Sequence, residues 1–155
     1  MARQLWLLRH GEAVPHDAAP DDERELTDRG RDQSRRAGRA LKALEVEVHL
    51  CFTSPKVRAR ETAELVCEAL GIEPVDEEAL AEGFDGAAAL DLMRTAGPDQ
   101  RVLVVGHEPD FSQVVHDLTG GRVDFKKGGV AGIRLDGSRG ELIVLLRPRE
   151  TDRIR

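Results

Sequence analysis

The sequence predicts an α/β fold, a three-layer α/β/α sandwich built around a mostly parallel sheet, in one domain that spans residues 1–155. Short apolar runs alternate with segments whose apolar residues recur at helical spacing, which is typical of strands joined by crossover helices. Two of the runs, residues 5–8 and 101–106, are apolar at successive positions. This pattern indicates strands that are buried on both faces, as helices above and below a parallel sheet require.

The first predicted strand, residues 5–8, ends in an arginine, a histidine and a glycine. Residues 13–25 are rich in Asp, Pro and Ala and are predicted to form a loop over the carboxyl edge of the sheet. Thr27 has the side chain of a helix N-cap. The helix that it begins is expected to bury a stripe at helical spacing, namely Ala37, Ala40, Leu41 and Leu44.

The second predicted strand covers residues 48–52 and leads into another helix. The Ser54-Pro55 pair suits an N-cap and a first helical turn, so the helix is expected to begin there and to end at Gly71. Arg58 falls off the apolar stripe of this helix and is expected to point back towards the end of the strand. The stripe itself consists of Ala59, Ala63, Val66 and Leu70.

The second half of the chain continues the alternation of strands and helices. An extended piece, a third helix, a buried strand and a fourth helix are predicted within residues 73–80, at 87–95, at 101–106 and from Pro109 to Gly120. Two last strands, residues 130–135 and 141–146, are expected to flank a turn. The charged tail, residues 147–155, is expected to fray.

The net charge, the lengths of the apolar runs and the number of cysteines argue against several classes of protein. A formal net charge of −6 argues against a general nucleic-acid binder, whose affinity would come from a basic surface. No stretch is long and apolar enough for a membrane span or a signal peptide, so a cytoplasmic location is expected. Cys51 and Cys67 are expected to be buried free thiols, because two cysteines make neither a disulfide framework nor a zinc site.

Basic and imidazole side chains recur where predicted strands end and helices begin. Arg9 and His10 follow the first strand, Arg58 lies near the start of the second helix, and His107 follows the strand at 101–106. Each taken alone is as well explained by a surface position. The carboxyl ends of parallel strands converge on one crevice, however, so together they predict a pocket for a phosphate group. Nearby cations lower the proton affinity of His10, which would leave it free to attack phosphorus.

Several blocks of sequence resemble the histidine phosphatase superfamily, which has the phosphoglycerate-mutase-like fold. They occur in the order of that family and are Leu8-Arg9-His10-Gly11-Glu12, Leu26-Thr27 with Gly30, Ser54-Pro55 with Arg58-Ala59 and Thr62-Ala63, and Val105-Gly106-His107-Glu108-Pro109. The resemblance implies that His10 accepts the phosphoryl group, and that water then hydrolyses the phosphohistidine. It also implies that Arg9, Arg58 and a cationic His107 hold the phosphate oxygens, beside the backbone of Gly11. No metal or other cofactor is expected.

The proton donor is the least defined member of the site. Relatives that act on alcohol phosphates use an acidic residue from the loop before the third strand-helix unit, which here suggests Glu82, with Asp85 as an alternative. A reaction that needs no donor is a third reading. Glu12 either orients a group in the pocket or is a surface carboxylate of the first turn.

The substrate is suggested by the shortness of the chain. Only 48 residues separate Arg58 from His107, and no inserted domain roofs the pocket. An open pocket suits a phosphate displayed on a protein, and the chain resembles the SixA-type phosphohistidine phosphatases. The partner is then expected to be a phosphohistidine protein. The alternatives are a small-molecule phosphomonoesterase, a mutase, and a catalytically silent phosphate-binding module.

Overall fold

The computed structural model describes residues 2–154 and has a six-stranded sheet between two layers of helices. The strands are β1 (Gln4–Arg9), β2 (Leu50–Thr53), β3 (Pro74–Asp76), β4 (Arg101–Gly106), β5 (Val130–Asp136) and β6 (Arg139–Leu146). The helices are α1 (Asp28–Ala43), α2 (Val57–Leu70), α3 (Gly86–Met93), α4 (Asp110–Thr119) and α5 (Pro148–Thr151). The predicted α/β class is therefore confirmed.

The sheet is mixed, with the strand order β3-β2-β4-β1-β5-β6. The pairs β3–β2, β2–β4 and β4–β1 are parallel, whereas β5 is antiparallel to both β1 and β6. Because β1, β2 and β4 run side by side in one direction, the loops that follow them lie at one edge of the sheet. That edge is where an open α/β sheet binds its ligands.

The side chains of β1 alternate between the two halves of the core, which explains its continuous apolar sequence. Leu5 and Leu7 pack with apolar side chains of α3 and α4. Trp6 and Leu8 pack on the opposite face with side chains of α1 and α2. Strands with this alternation need helices on both faces, so the predicted three layers follow from the sequence of β1 itself.

The helix ends follow the predicted caps in three places. The backbone N–H of Gly30 donates to Thr27 Oγ1 over 3.0 Å, which caps α1. Gly71 and Gly120 end α2 and α4 with φ angles of 73° and 75°, a region that favours glycine. Cys51 and Cys67 are buried and free, as predicted. No helix within residues 2–154 is long and apolar enough to cross a membrane.

The predicted start of the second helix is wrong by two residues. Ser54 is not the N-cap, because α2 begins at Val57 after Lys56. The Ser54 hydroxyl instead accepts the backbone N–H of Lys56 over 3.2 Å and lies 2.8 Å from His107 Nε2. The predicted stripe of the first helix is also too long, since Leu44 lies beyond α1 and is 46% exposed.

The prediction of a frayed tail is wrong for its first part, which forms α5. Glu150 Oε1 accepts the backbone N–H of Arg147 over 2.9 Å, completing a capping box, and Thr151 is buried. Asp152 adds an ion pair of 3.0 Å with Arg36 of α1. These contacts dock the segment against α1. Arg155, the last residue of the predicted tail, lies outside the described residues.

Candidate active site

The structure brings the four predicted phosphate-binding side chains into one cavity of about 290 Å³ at the carboxyl edge of the sheet. We call this cavity the His10 pocket. Arg9, His10, Arg58 and His107 line it, although they are far apart in the sequence. The sequence reasoning missed further lining residues, namely His16, Asp21, Arg24, Glu108 and Lys127.

The sheet holds His10 at the point where β1 ends. The backbone N–H of His10 donates to the carbonyl of Gly106, at the end of β4, over 3.0 Å. The next residue, Gly11, donates its N–H to Thr62 Oγ1 over 3.1 Å. A Cβ atom at Gly11 would lie 2.5 Å from the carbonyl oxygen of Gly30, so only glycine lets the chain turn here against α1. The loop therefore has little freedom to move His10.

The hydrogen bonds of His10 define its tautomer. Its Nδ1 lies 2.7 Å from the carbonyl oxygen of Gly11, which can only accept, so we assign the proton to Nδ1. Its Nε2 then carries a lone pair, which accepts from Arg58 Nε at 3.4 Å. Burial, together with the charges of Arg58 and Arg9, lowers the pKa of His10 to about 3. The pocket thus holds a neutral imidazole with an unprotonated nitrogen.

His107 lies beside His10, with the two ring centroids 5.2 Å apart. Its Nε2 is 2.8 Å from Ser54 Oγ. The serine oxygen accepts the Lys56 N–H and can donate its own proton to Nε2, and on this basis we assign the proton of His107 to Nδ1. Burial and the neighbouring His10 and Arg58 lower the pKa of His107 to about 3. His107 is therefore neutral in the unliganded pocket. The cationic state predicted for it with phosphate bound stays a prediction.

Arg58 is buried and is held by the loop that covers the pocket. Its Nη1 donates to the carbonyl oxygen of Asp21 over 2.7 Å, and its Nη2 lies 3.4 Å from Asp21 Oδ2. The same carboxylate pairs with Lys56 at 3.2 Å and with Arg24 at 3.1 Å. Burial opposes ionisation of Asp21, but these cationic partners lower its pKa to about 2. An anionic side chain of the protein thus occupies part of the cationic surface.

Two buried nitrogens of the pocket have no hydrogen-bond partner. Arg9 Nη1 donates to the carbonyl oxygen of Phe125 over 2.8 Å, but Arg9 Nε has no acceptor, and neither has His107 Nδ1. Within residues 2–154 these are the only buried side-chain nitrogen or oxygen atoms without a partner. An unpaired buried donor costs about 1–3 kcal/mol. A tetrahedral oxyanion in the pocket has enough acceptor oxygens to satisfy both donors.

The predicted proton donors do not lie in the pocket. Glu82 is exposed and is not among the lining residues. Asp85 caps α3 by accepting the N–H of Ala88 over 2.9 Å. Glu12 accepts the hydroxyl of Thr27 over 2.7 Å. Glu108 does line the pocket, and its carboxylate accepts the backbone N–H of Ser112 over 2.7 Å.

Some of the missed residues had a signal in the sequence and others had none. Glu108 directly follows His107, so its place could have been read from the strand end. Asp21 belongs to the segment 13–25, which was predicted to cover this edge of the sheet, but nothing local shows which of its side chains enters the pocket. Lys127 lies in the loop before β5, for which no place at the pocket was predicted. Within the described chain, no three His, Cys, Asp or Glu side chains are grouped so that they could hold a metal ion.

Fold and pocket together are those of a phosphatase. The sequence model of the histidine phosphatase superfamily (branch 1) matches residues 5–88, which is more than half of the chain. The chain belongs to the histidine phosphatase superfamily. The predicted family and its phosphoglycerate-mutase-like, three-layer fold are therefore confirmed.

Within that family the chain is similar to SixA proteins. It is 35% identical over 143 residues to the phosphohistidine phosphatase SixA of Escherichia coli K12, covering 87% of each chain. A solved structure of the protein histidine phosphatase SixA complexed with tungstate superposes with a TM-score of 0.84 and 30% identity, over 95% of this chain and 98% of that one. An uncharacterised protein of Picosynechococcus is 34% identical over 160 residues, covering 94% of this chain and 97% of its own.

Proposed function

We propose that this protein dephosphorylates phosphohistidine on a protein partner through a phosphohistidine at His10. The observation that carries the proposal is the pair of unpartnered buried donors, Arg9 Nε and His107 Nδ1, beside the neutral His10 imidazole. Such donors are unfavourable until an anion with several acceptor oxygens fills the pocket. The similar SixA structure contains tungstate, which is a tetrahedral oxyanion of this kind.

The first step moves the phosphoryl group from one imidazole to another. His10 Nε2 donates its lone pair to phosphorus, and the bond between phosphorus and the substrate imidazole breaks in line with the attack. The departing ring leaves as a neutral imidazole when its other nitrogen already carries a proton. In the second step the oxygen of a water molecule bonds to phosphorus, the bond to Nε2 breaks, and the water protons stay on the phosphate released. His10 returns to its starting tautomer.

The surrounding side chains stabilise charge on the transferring group. Arg9 and Arg58 remain cationic because a guanidinium keeps its proton even when burial lowers its pKa. Their N–H groups and His107 Nδ1 can donate to the equatorial phosphate oxygens, where negative charge spreads in the transition state. Gly11 contributes the close turn that places His10.

The leaving group favours phosphohistidine over an alcohol phosphate. An alkoxide needs a proton as it departs, whereas the imidazole does not. Glu82 is exposed outside the pocket, and the carboxylate of Glu108 is held by Ser112. A proton donor is needed only if the substrate is an alcohol phosphate. The role of Glu82 as that donor stays a prediction, and so does the alternative of a small-molecule phosphomonoesterase. The carboxyl groups that line the pocket are Glu108 and Asp21, and Asp21 is paired with Arg58.

The test of the nucleophile is to trap the phosphoenzyme with a ³²P-labelled phosphodonor. We expect an acid-labile, base-stable phosphoryl group on the protein that is absent from His10→Ala. His116→Ala is the matched control, because His116 is an exposed histidine of α4 outside the pocket. Full activity of His10→Ala would refute the mechanism. A protein that binds phosphate without turnover would instead be the silent phosphate-binding module.

The test of the substrate compares kcat/KM for phosphohistidine proteins and for small phosphomonoesters. A phosphohistidine carrier protein is measured against a panel of sugar and glycerate phosphates under the same conditions. We expect the carrier protein to be preferred by at least an order of magnitude, because its leaving group needs no proton donor. A preference for one of the phosphomonoesters would favour the small-molecule alternative.

A further inference from the structure

A second concave surface adjoins the His10 pocket and is lined mainly by cations. This surface, which we call the basic groove, has a volume of about 530 Å³. Arg9 and Lys127 line both the basic groove and the His10 pocket, so the two cavities share a wall. The six cationic residues of the groove are Arg9, Arg29, Lys126, Lys127, Arg147 and Arg149.

The groove keeps an excess of positive charge after its internal ion pairs are counted. Arg147 and Arg149 pair with Glu150 at 2.8 and 3.4 Å, and Lys126 pairs with Asp124 at 2.9 Å. Glu12 is the acidic lining residue. Six cations therefore face three carboxylates, in a chain whose net charge is −6. Among residues 2–154, neither Arg29 nor Lys127 has an ion-pair partner.

We propose that the basic groove docks an acidic surface of the phosphorylated protein while its phosphohistidine enters the His10 pocket. This inference rests on the proposed function. One phosphate group needs no further cations, because the pocket already offers it Arg9, Arg58 and His107. The additional cations come from α1, from the loop before β5 and from the start of α5, so they present charge over a wide, exposed surface. That arrangement fits several carboxylates on a protein better than one small anion.

Exposed charges of this kind mainly raise the rate at which the two partners associate, and salt screens them. The docking proposal therefore predicts an effect on KM for a protein or peptide substrate, with little effect on kcat. It also predicts that raising the salt concentration weakens the preference for acidic substrates. Chemistry inside the pocket, measured with a substrate too small to reach the groove, should stay the same.

The test uses three substrates and one double variant of the full chain. Two synthetic peptides carry a central phosphohistidine flanked by glutamates or by glutamines, and phosphoimidazole is the small substrate. The variant is Arg29→Ala with Arg149→Ala, both exposed positions. The matched control is Arg139→Ala, an exposed arginine that lies beside the β5–β6 turn at the opposite end of the sheet from Arg9.

We expect the wild type to prefer the glutamate peptide by at least tenfold in kcat/KM, through KM. The double variant should turn over the two peptides within twofold of each other and should keep its rate on phosphoimidazole. Arg139→Ala should behave as the wild type, and Arg29→Lys with Arg149→Lys should retain the preference because the charge is kept.

Three results would overturn the docking proposal in distinguishable ways. Equal turnover of both peptides by the wild type overturns docking and leaves the proposed function standing. A preference that survives in the double variant places acidic recognition elsewhere on the molecule. A wild type that hydrolyses phosphoimidazole but neither peptide overturns docking together with the protein-substrate part of the proposed function. The phosphatase mechanism itself would be overturned by a different result, namely full activity of His10→Ala or no hydrolysis of phosphoimidazole by the wild type.

Discussion

The His10 pocket and the basic groove share Arg9 and Lys127, yet they hold their cations in opposite ways. In the pocket, Arg58 is buried, and two buried donors, Arg9 Nε and His107 Nδ1, have no acceptor. Apart from Arg9, the arginines and lysines of the groove are exposed, and several are neutralised by nearby carboxylates. Charge in a buried site is fixed before the substrate arrives and is weakly screened, whereas exposed charge is mobile and screened by salt. The pocket is therefore suited to catalysis, and the groove is suited to attracting an acidic partner.

We expect the largest effect from a substitution that changes the geometry of the pocket but keeps its charge. Arg58→Lys keeps one positive charge but loses the planar fork that contacts His10 Nε2 and Asp21. We expect kcat/KM for phosphoimidazole to fall by about 100-fold, the size typical of losing one preorganised donor. Arg60→Lys, at an exposed position of the same helix, is the matched control and should stay within twofold. A loss below fivefold in Arg58→Lys would mean that charge alone suffices in the pocket.

The fold was predictable wherever local chemistry decides it. The apolar run of β1, the Thr27 cap and the glycines that end α2 and α4 act within a few residues, and all were located from the sequence. Ser54 was misplaced as a helix cap because its hydroxyl is used by His107, which lies 53 residues further along the chain. Propensity reasoning does not detect such a tertiary partner.

The residues of the pocket also divide into those whose place the sequence predicts and those whose place depends on the fold. Side chains next to strand ends could be placed from topology, since parallel strands bring their carboxyl ends together. The loop that carries Asp21 was expected at this edge of the sheet, but the side chains that Asp21 and Lys127 place in the pocket depend on how their loops pack. The neutral state of His107 in the unliganded pocket has no signal in the sequence either, because burial lowers its pKa most and burial is a property of the fold.

A smaller effect, confined to the pocket, is expected in the pH dependence of stability. His10 and His107 have a pKa of about 3 in the folded protein. An unfolded histidine has a pKa of about 6.5, so below that pH the unfolded chain binds more protons and folding weakens. Between pH 7 and pH 6 the two histidines should together lower the free energy of unfolding by about 1 kcal/mol.

Urea denaturation at pH 7, 6.5 and 6 measures this slope. The double variant His10→Gln with His107→Gln replaces both rings by amides that do not titrate, and its stability should change less over the same range. His116→Gln, at the exposed site on α4, provides the comparison for loss of one histidine. If the double variant loses stability as steeply as the wild type, the acid sensitivity arises outside the pocket.

The smallest expected effect concerns Asp21, the carboxylate that already occupies part of the pocket. It lies 3.4 Å from Arg58 and 3.2 Å from Lys56, so an incoming oxyanion must compete with it for cationic donors. Asp21→Asn removes this charge but keeps the backbone carbonyl that holds Arg58 Nη1. We expect tungstate to inhibit the variant at a concentration about threefold lower, since a partly exposed charge pair contributes at most about 1 kcal/mol.

Asp22→Asn is the matched control for this substitution, because Asp22 is the next residue, is 78% exposed and makes a longer ion pair with Lys56, at 3.7 Å, without contacting Arg58 within 4 Å. It should change tungstate inhibition by less than Asp21→Asn does. High salt should reduce both effects, but less for Asp21, whose partner Arg58 is buried. Weaker tungstate binding in Asp21→Asn would reverse the interpretation, because the carboxylate would then be needed to hold Arg58 in place for the phosphate rather than competing with it.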